Sequence, residues 1–148
     1  MPQQKTLRLI LGDQLDELHA WFKTPDKNVT YVMMEIRQET DYVKHHIQKV
    51  AAFFAAMRAF SARLSKLGHT VIYIRLDDRQ NLHTIAANLQ KLLATKKFAR
   101  MEYLLPDEYR LDVQLKNLDE TLQVPVAAVD TEHFLTERLE LKEFFSGK

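Results

Sequence analysis

Glu35–Leu67 reads EIRQETDYVKHHIQKVAAFFAAMRAFSARLSKL, and this stretch decides the fold. Val43, Ile47, Val50, Phe54, Met57 and Leu64 fall three or four residues apart, with one double step across Ser61. That spacing puts them on one stripe of a helix. Phe53, Ala56 and Phe60 make a second apolar line beside it, so the predicted buried face is broad. A helix from about Asp41 to Leu67 would run roughly 40 Å, enough to cover a sheet face. Gly68 suits a left-handed cap at its end. The apolar run Val29–Glu35 (VTYVMME) precedes it and reads as a strand. Gln38, Glu39, Thr40, Asp41 and Tyr42 therefore sit just past a strand end, where open α/β sheets bind ligands.

The rest of the chain repeats this strand-then-helix order. Leu7–Leu11, Thr70–Leu76, Met101–Leu105 and Val124–Val129 read as further strands, and Pro125 falls near a strand start where proline is tolerated. Leu15–Phe22 reads as one or two helical turns, with Trp21 and Phe22 covering the core. Leu82–Leu93 and Glu108–Leu122 carry helical stripes of leucine and isoleucine, and Leu135–Phe145 is a final helical patch. Alternation of this kind predicts an α/β fold: a Rossmann-like, doubly wound, five-stranded parallel sheet with helices on both faces. The polar stretches after the strands (GDQ, RQET, DD, PDEYR) would gather along one edge.

With 148 residues, 46% hydrophobic and 28% charged, the chain suits one soluble domain with a real core. A net charge of +1 argues against the global field of a dedicated nucleic-acid binder, though local basic patches stay open. Absence of cysteine excludes disulfides, thiolate zinc sites and iron–sulfur ligation by this chain, and fits a reducing compartment. The amino-terminal apolar run is too short for a signal peptide, and VAAFFAAM is far below the ~20 residues of a membrane span. The expectation is a cytoplasmic protein without a membrane partner.

Single motifs are weak here. LILGDQL lacks the second glycine and the Lys-Ser/Thr pair of a phosphate loop, and has too few glycines for a dinucleotide fingerprint. Asp13 and Gln14 read equally well as loop and cap residues. His45 and His46, adjacent on a helix, would point about 100° apart and could not chelate one ion. Either could still bond a loop or a ligand oxygen. Asp77 and Asp78 suit a helix cap better than a metal or ribose site. Glu35, Arg37 and Glu39 crowd the switch from strand to helix. Glu39 there complements a helix dipole, or accepts a hydrogen bond from a ring N–H or a sugar hydroxyl. No Ser/His/Asp set, carboxylate pair or Cys/His couple emerges.

Taken together, LILGDQL, EIRQETDYVKHHIQKVAAFFAAMRAF, GHTVIYIRLDD and LPDEYRLD resemble the amino-terminal domain of the deoxyribodipyrimidine photolyase-related proteins. This is the prokaryotic branch of the photolyase/cryptochrome superfamily that includes iron–sulfur bacterial cryptochromes and (6-4) photolyases. The match runs from about Leu7 to Phe134 in the family's order. The resemblance implies a Rossmann-like domain holding an antenna chromophore, 6,7-dimethyl-8-ribityllumazine in characterised members. A following helical domain in such flavoproteins binds FAD, a 4Fe-4S cluster and damaged DNA. The antenna passes light energy to the flavin, which donates an electron to the lesion. Residues 1–134 would then be the antenna domain and 135–148 the start of the interdomain segment, with the FAD and cluster domain absent. The piece itself would be a non-catalytic part of a DNA-repair lyase or a cryptochrome, and its truncation could favour self-association.

The resemblance also carries over contacts where the motifs match. Gly12, Asp13 and Gln14 stand in the first strand-end loop, which approaches the lumazine. Glu39 takes the acidic position beside the chromophore, with Tyr42 and His46 on the same helix end. Phe53 stands at an apolar position where other members can carry an aliphatic residue, a departure that would tighten the pocket or change the preferred chromophore. No catalytic or metal-binding residue is expected. The competing readings are a stand-alone nucleotide-binding α/β domain and an interaction module.

Overall fold

Five short runs of apolar and β-branched residues form the strands: β1 (Thr6–Leu9), β2 (Val29–Met34), β3 (Thr70–Ile74), β4 (Arg100–Leu104) and β5 (Val126–Val129). They pair in the order β3-β2-β1-β4-β5, and every pair is parallel. The computed structural model describes residues 4–136 and 138–146. Among them, six helices join or follow the strands: α1 (Arg37–Thr40), α2 (Ile47–Lys66), α3 (Ile85–Thr95), α4 (Tyr109–Lys116), α5 (Leu118–Thr121) and α6 (Arg138–Phe145). This is the expected Rossmann-like α/β arrangement. The chain builds outward from β1 to β3 and then returns to place β4 on the other side of β1. Its switch point therefore lies at the carboxyl end of β1, flanked by β2 and β4.

Alternating side chains fill two cores, one on each face of the sheet. Leu7, Leu9, Val32, Met34, Met101 and Tyr103 meet Ile85 and Leu89 of α3 and Leu111 and Leu115 of α4. On the other face, Ile10, Tyr31, Met33 and Leu104 meet Met57, Phe60 and Leu64 of α2. Trp21 and Phe22, on a 3-10 turn at Ala20–Phe22, close that second core as expected. The guanidinium of Arg8 lies 4.6 Å from the centroid of the Trp21 ring and donates from Nε to Glu102 at 2.8 Å. A charged pair is thus tolerated beneath an aromatic cover.

The long helix is shorter than its periodicity predicts. It begins at Ile47, not near Asp41, and its 20 residues span about 30 Å. Residues 41–44 form turns instead, and 45–46 lead into the helix without regular structure. His46 explains the boundary: its backbone is extended, and its Nδ1 accepts from the Gln48 amide at 3.2 Å, an N-cap. Val43 and Ile47, the first members of the predicted stripe, are exposed. At the other end Gly68 has φ +93°, its amide donates to Ser65 and the His69 amide to Leu64, so the left-handed cap is present.

Two further boundaries differ. The helix expected over Glu108–Leu122 breaks at Asn117, whose carbonyl receives the Thr121 hydroxyl at 3.1 Å. Asp77 and Asp78 do not cap the next helix. Asp78 closes the turn after β3 by accepting from the Arg75 amide at 2.7 Å, and α3 is capped by Thr84, whose hydroxyl accepts from Ala87. Among the described residues, no helix is long and apolar enough to cross a membrane.

Candidate functional site

A cavity of about 240 Å³ opens at the switch point, beyond the carboxyl ends of β1 and β2 and beside α4. Its interior is apolar: Leu9, Leu11, Met34 and Ile36 come from β1, β2 and the residues just beyond them, Ile85 from α3, Leu111 from α4, and Val50, Phe53, Phe54 and Met57 from α2. Its polar lining comes from the loops, through Asp13, His45 and Glu108, and from the helices, through Glu39 and Thr40 of α1 and Lys49 of α2. An apolar slot with a few convergent polar groups is the usual form of a small-molecule site.

Gly12 sets the wall of this slot by close approach. A Cβ there would strike the Phe53 ring, reaching Cζ at 2.7 Å, and the Met57 sulfur at 2.9 Å. Only a residue without a side chain lets Phe53 lie across the end of β1. Asp13 stays open to solvent at the mouth. Loss of water around its carboxyl still pushes its pKa above the usual value, and the negative Asp107 and Glu108 add to the shift.

Glu39 is held from the α4 side. Arg110 donates to its two oxygens from Nη2 at 2.9 Å and Nη1 at 3.3 Å. The same guanidinium donates to Glu108 from Nε at 2.8 Å and lies 4.3 Å from the Tyr42 ring centroid. Arg110 therefore ties together three of the lining residues. The hydrogen bond to Glu39 is the largest cause that pushes its own pKa up.

Of the residues predicted for the site, Gly12, Asp13, Glu39, Tyr42 and Phe53 line the cavity together. Gln14 and His46 are not among the lining residues. His46 caps α2. Gln14 is buried: its Oε1 accepts from the Leu11 amide at 3.0 Å, and its Nε2 donates to the Leu104 carbonyl at 3.1 Å. It clamps the exits of β1 and β4. Gln14→Ala is expected to cost about 1–3 kcal/mol in urea unfolding, because two buried backbone groups lose their partner; an unchanged midpoint would remove the clamp.

Glu35 proves to be structural. Its side chain is fully buried, and it receives Arg58 on both oxygens, the Tyr73 hydroxyl at 2.7 Å and the Leu76 amide at 2.9 Å. Arg37 is exposed. Sequence reasoning missed Lys49, which precedes Phe53 by one turn, and took Val50, Phe54 and Met57 as core alone. It also missed Arg110, which LPDEYRLD places in the first turn of α4, just beyond β4. Among the described residues, no group of three or more His, Cys, Asp or Glu side chains could hold a metal ion.

Comparisons with known proteins identify the family. The family model described as deoxyribodipyrimidine photo-lyase-related protein matches residues 8–148. A (6-4) photolyase of Agrobacterium fabrum (strain C58 / ATCC 33970) is 30% identical over 143 residues, which cover 96% of this chain and 28% of that relative. The chain thus spans little more than a quarter of the relative's length. Across nearly its whole sequence, this chain belongs to the deoxyribodipyrimidine photo-lyase-related protein family.

Proposed function

We propose that this chain is the antenna-chromophore-binding domain of a light-driven DNA photolyase or a cryptochrome-related protein, and that it binds 6,7-dimethyl-8-ribityllumazine or a similar flavin-like ring. The observation that carries this reading is the slot at the switch point, with apolar and aromatic walls and a carboxylate held at its side. A planar heterocycle needs both features: flat apolar cover for its faces and fixed polar partners at its edge. Gly12, Phe53 and Tyr42 would supply the walls, and Glu39 and Asp13 the polar edge. Gln14 and His46 would serve from outside the lining by fixing the loops. When bound, such a chromophore would absorb light and pass its excitation on.

In such a protein, FAD, a 4Fe-4S cluster and damaged DNA would be bound outside these residues. With no cysteine, these 148 residues offer a cluster no thiolate. The domain alone would have no catalytic activity.

Titration of the purified chain with the lumazine, followed by absorption and fluorescence, is expected to saturate. Glu39→Ala should weaken binding roughly tenfold, the worth of a hydrogen bond to a charged group, while leaving thermal unfolding nearly unchanged. Equal binding by a folded Glu39→Ala variant would remove Glu39 from the site. Binding of ATP in place of the lumazine would favour the nucleotide-binding reading.

A further inference from the structure

The Glu39 carboxylate is almost fully engaged before any ligand arrives. Its Oε1 accepts from Gln38 Nε2 at 2.9 Å and from Arg110 Nη1, and its Oε2 accepts from Arg110 Nη2. A carboxylate has about four lone-pair sites, so one remains, on Oε2. The donors around it are themselves fixed. Gln38 exchanges hydrogen bonds with Gln114 at 2.8 and 3.1 Å and accepts from the Ile85 amide at 3.1 Å. Arg110 is braced by Glu108 and stacked against Tyr42. Arg110 is not among the residues that line the cavity, yet it touches three that do.

We propose that Arg110 is the specificity-setting positioning residue of this site: it locks the Glu39 carboxylate so that the remaining Oε2 lone pair reads a ring N–H of the bound heterocycle. The inference rests on the chromophore-binding reading above and deepens it. The planar guanidinium matters because it grips both oxygens at once, which fixes the carboxylate plane. A lysine would supply the charge without that plane. A loosely held carboxylate would turn toward solvent and discriminate poorly, since the cost of ordering it would fall on the ligand.

The test compares 6,7-dimethyl-8-ribityllumazine, which has an imide N–H, with its N3-methyl derivative, on the whole chain and by fluorescence titration. Wild type is expected to prefer the N–H form by roughly tenfold or more. Arg110→Ala should reduce that preference to below about threefold, and Arg110→Lys should restore it only in part. A merely structural role would weaken both ligands alike and leave their ratio unchanged. The ion pair is partly exposed, with side-chain exposures of 36% and 28%, so its loss leaves the protein folded, which thermal unfolding would verify. Retention of the wild-type ratio by Arg110→Ala would overturn the proposal. So would equal binding of both ligands by wild type, which would leave the chromophore site itself standing. Failure of wild type to bind either ligand would overturn the chromophore reading and this inference with it.

Discussion

Glu35→Ala is expected to lower the free energy of unfolding by about 2–3 kcal/mol. Its carboxylate is fully buried and joins α2, through Arg58, to β3 and the turn beyond it, through Tyr73 and Leu76. The Leu76 amide and the Tyr73 hydroxyl would lose their acceptor. Arg58 remains half exposed and would be rehydrated, which limits the loss. Urea unfolding followed by the emission of Trp21, the single tryptophan, measures this directly.

The same carboxylate makes stability depend on acid. Burial pushes its pKa up, but Arg58, the Leu76 amide and the Tyr73 hydroxyl outweigh burial and hold it below the ordinary 4.5. At pH values between the lowered native value and 4.5, the unfolded chain binds more protons than the native one. The stabilisation is therefore complete above 4.5 and is lost as pH falls through the native value. Glu35→Gln should flatten this acid limb. A wild-type stability that does not change below pH 4.5, or a limb equally steep in Glu35→Gln, would contradict the assignment.

Gly12→Val should abolish most chromophore binding, with at least a tenfold loss of affinity. Even a Cβ meets the Phe53 ring and the Met57 sulfur, both of which line the slot, and the branched methyls of valine add to that crowding. Overpacking of this kind costs about 1–3 kcal/mol of stability as well. Phe53→Ala in the Gly12→Val background should recover part of that stability, because the two residues share one volume. Wild-type affinity in Gly12→Val would show that the slot beside Gly12 is not where the ring lies.

The sheet was legible in the sequence because each strand is a short apolar run bounded by polar turns, and the helices between them follow a helical period. The parallel, doubly wound arrangement followed from strand–helix alternation, whereas the strand order is set by the packing of the crossovers. Helix boundaries were less legible where the deciding group is a side chain. Val43 and Ile47 continue the period of α2 toward its amino end, but the His46 imidazole captures the Gln48 amide and starts the helix there. Thr84 likewise caps α3 in place of the two aspartates. At the cavity, Gly12, Asp13, Glu39 and Tyr42 follow the ends of β1 and β2, where strand–helix alternation places the polar edge, whereas Phe53 reads by period as core and was placed there only by the family resemblance. Arg110 was not legible, since its role depends on α4 packing beside α1, a contact between segments 71 residues apart. Gln14 looked like a loop residue facing a ligand, and only its burial reveals the clamp.

The most direct test of the central claim is a ¹H–¹⁵N NMR titration of the chain with 6,7-dimethyl-8-ribityllumazine. Saturable shifts are expected at the amides of Gly12, Asp13, Glu39 and Tyr42, with little change at Lys96–Ala99 on the opposite edge of the sheet. Shifts confined to that opposite edge, or none at any concentration, would contradict that claim.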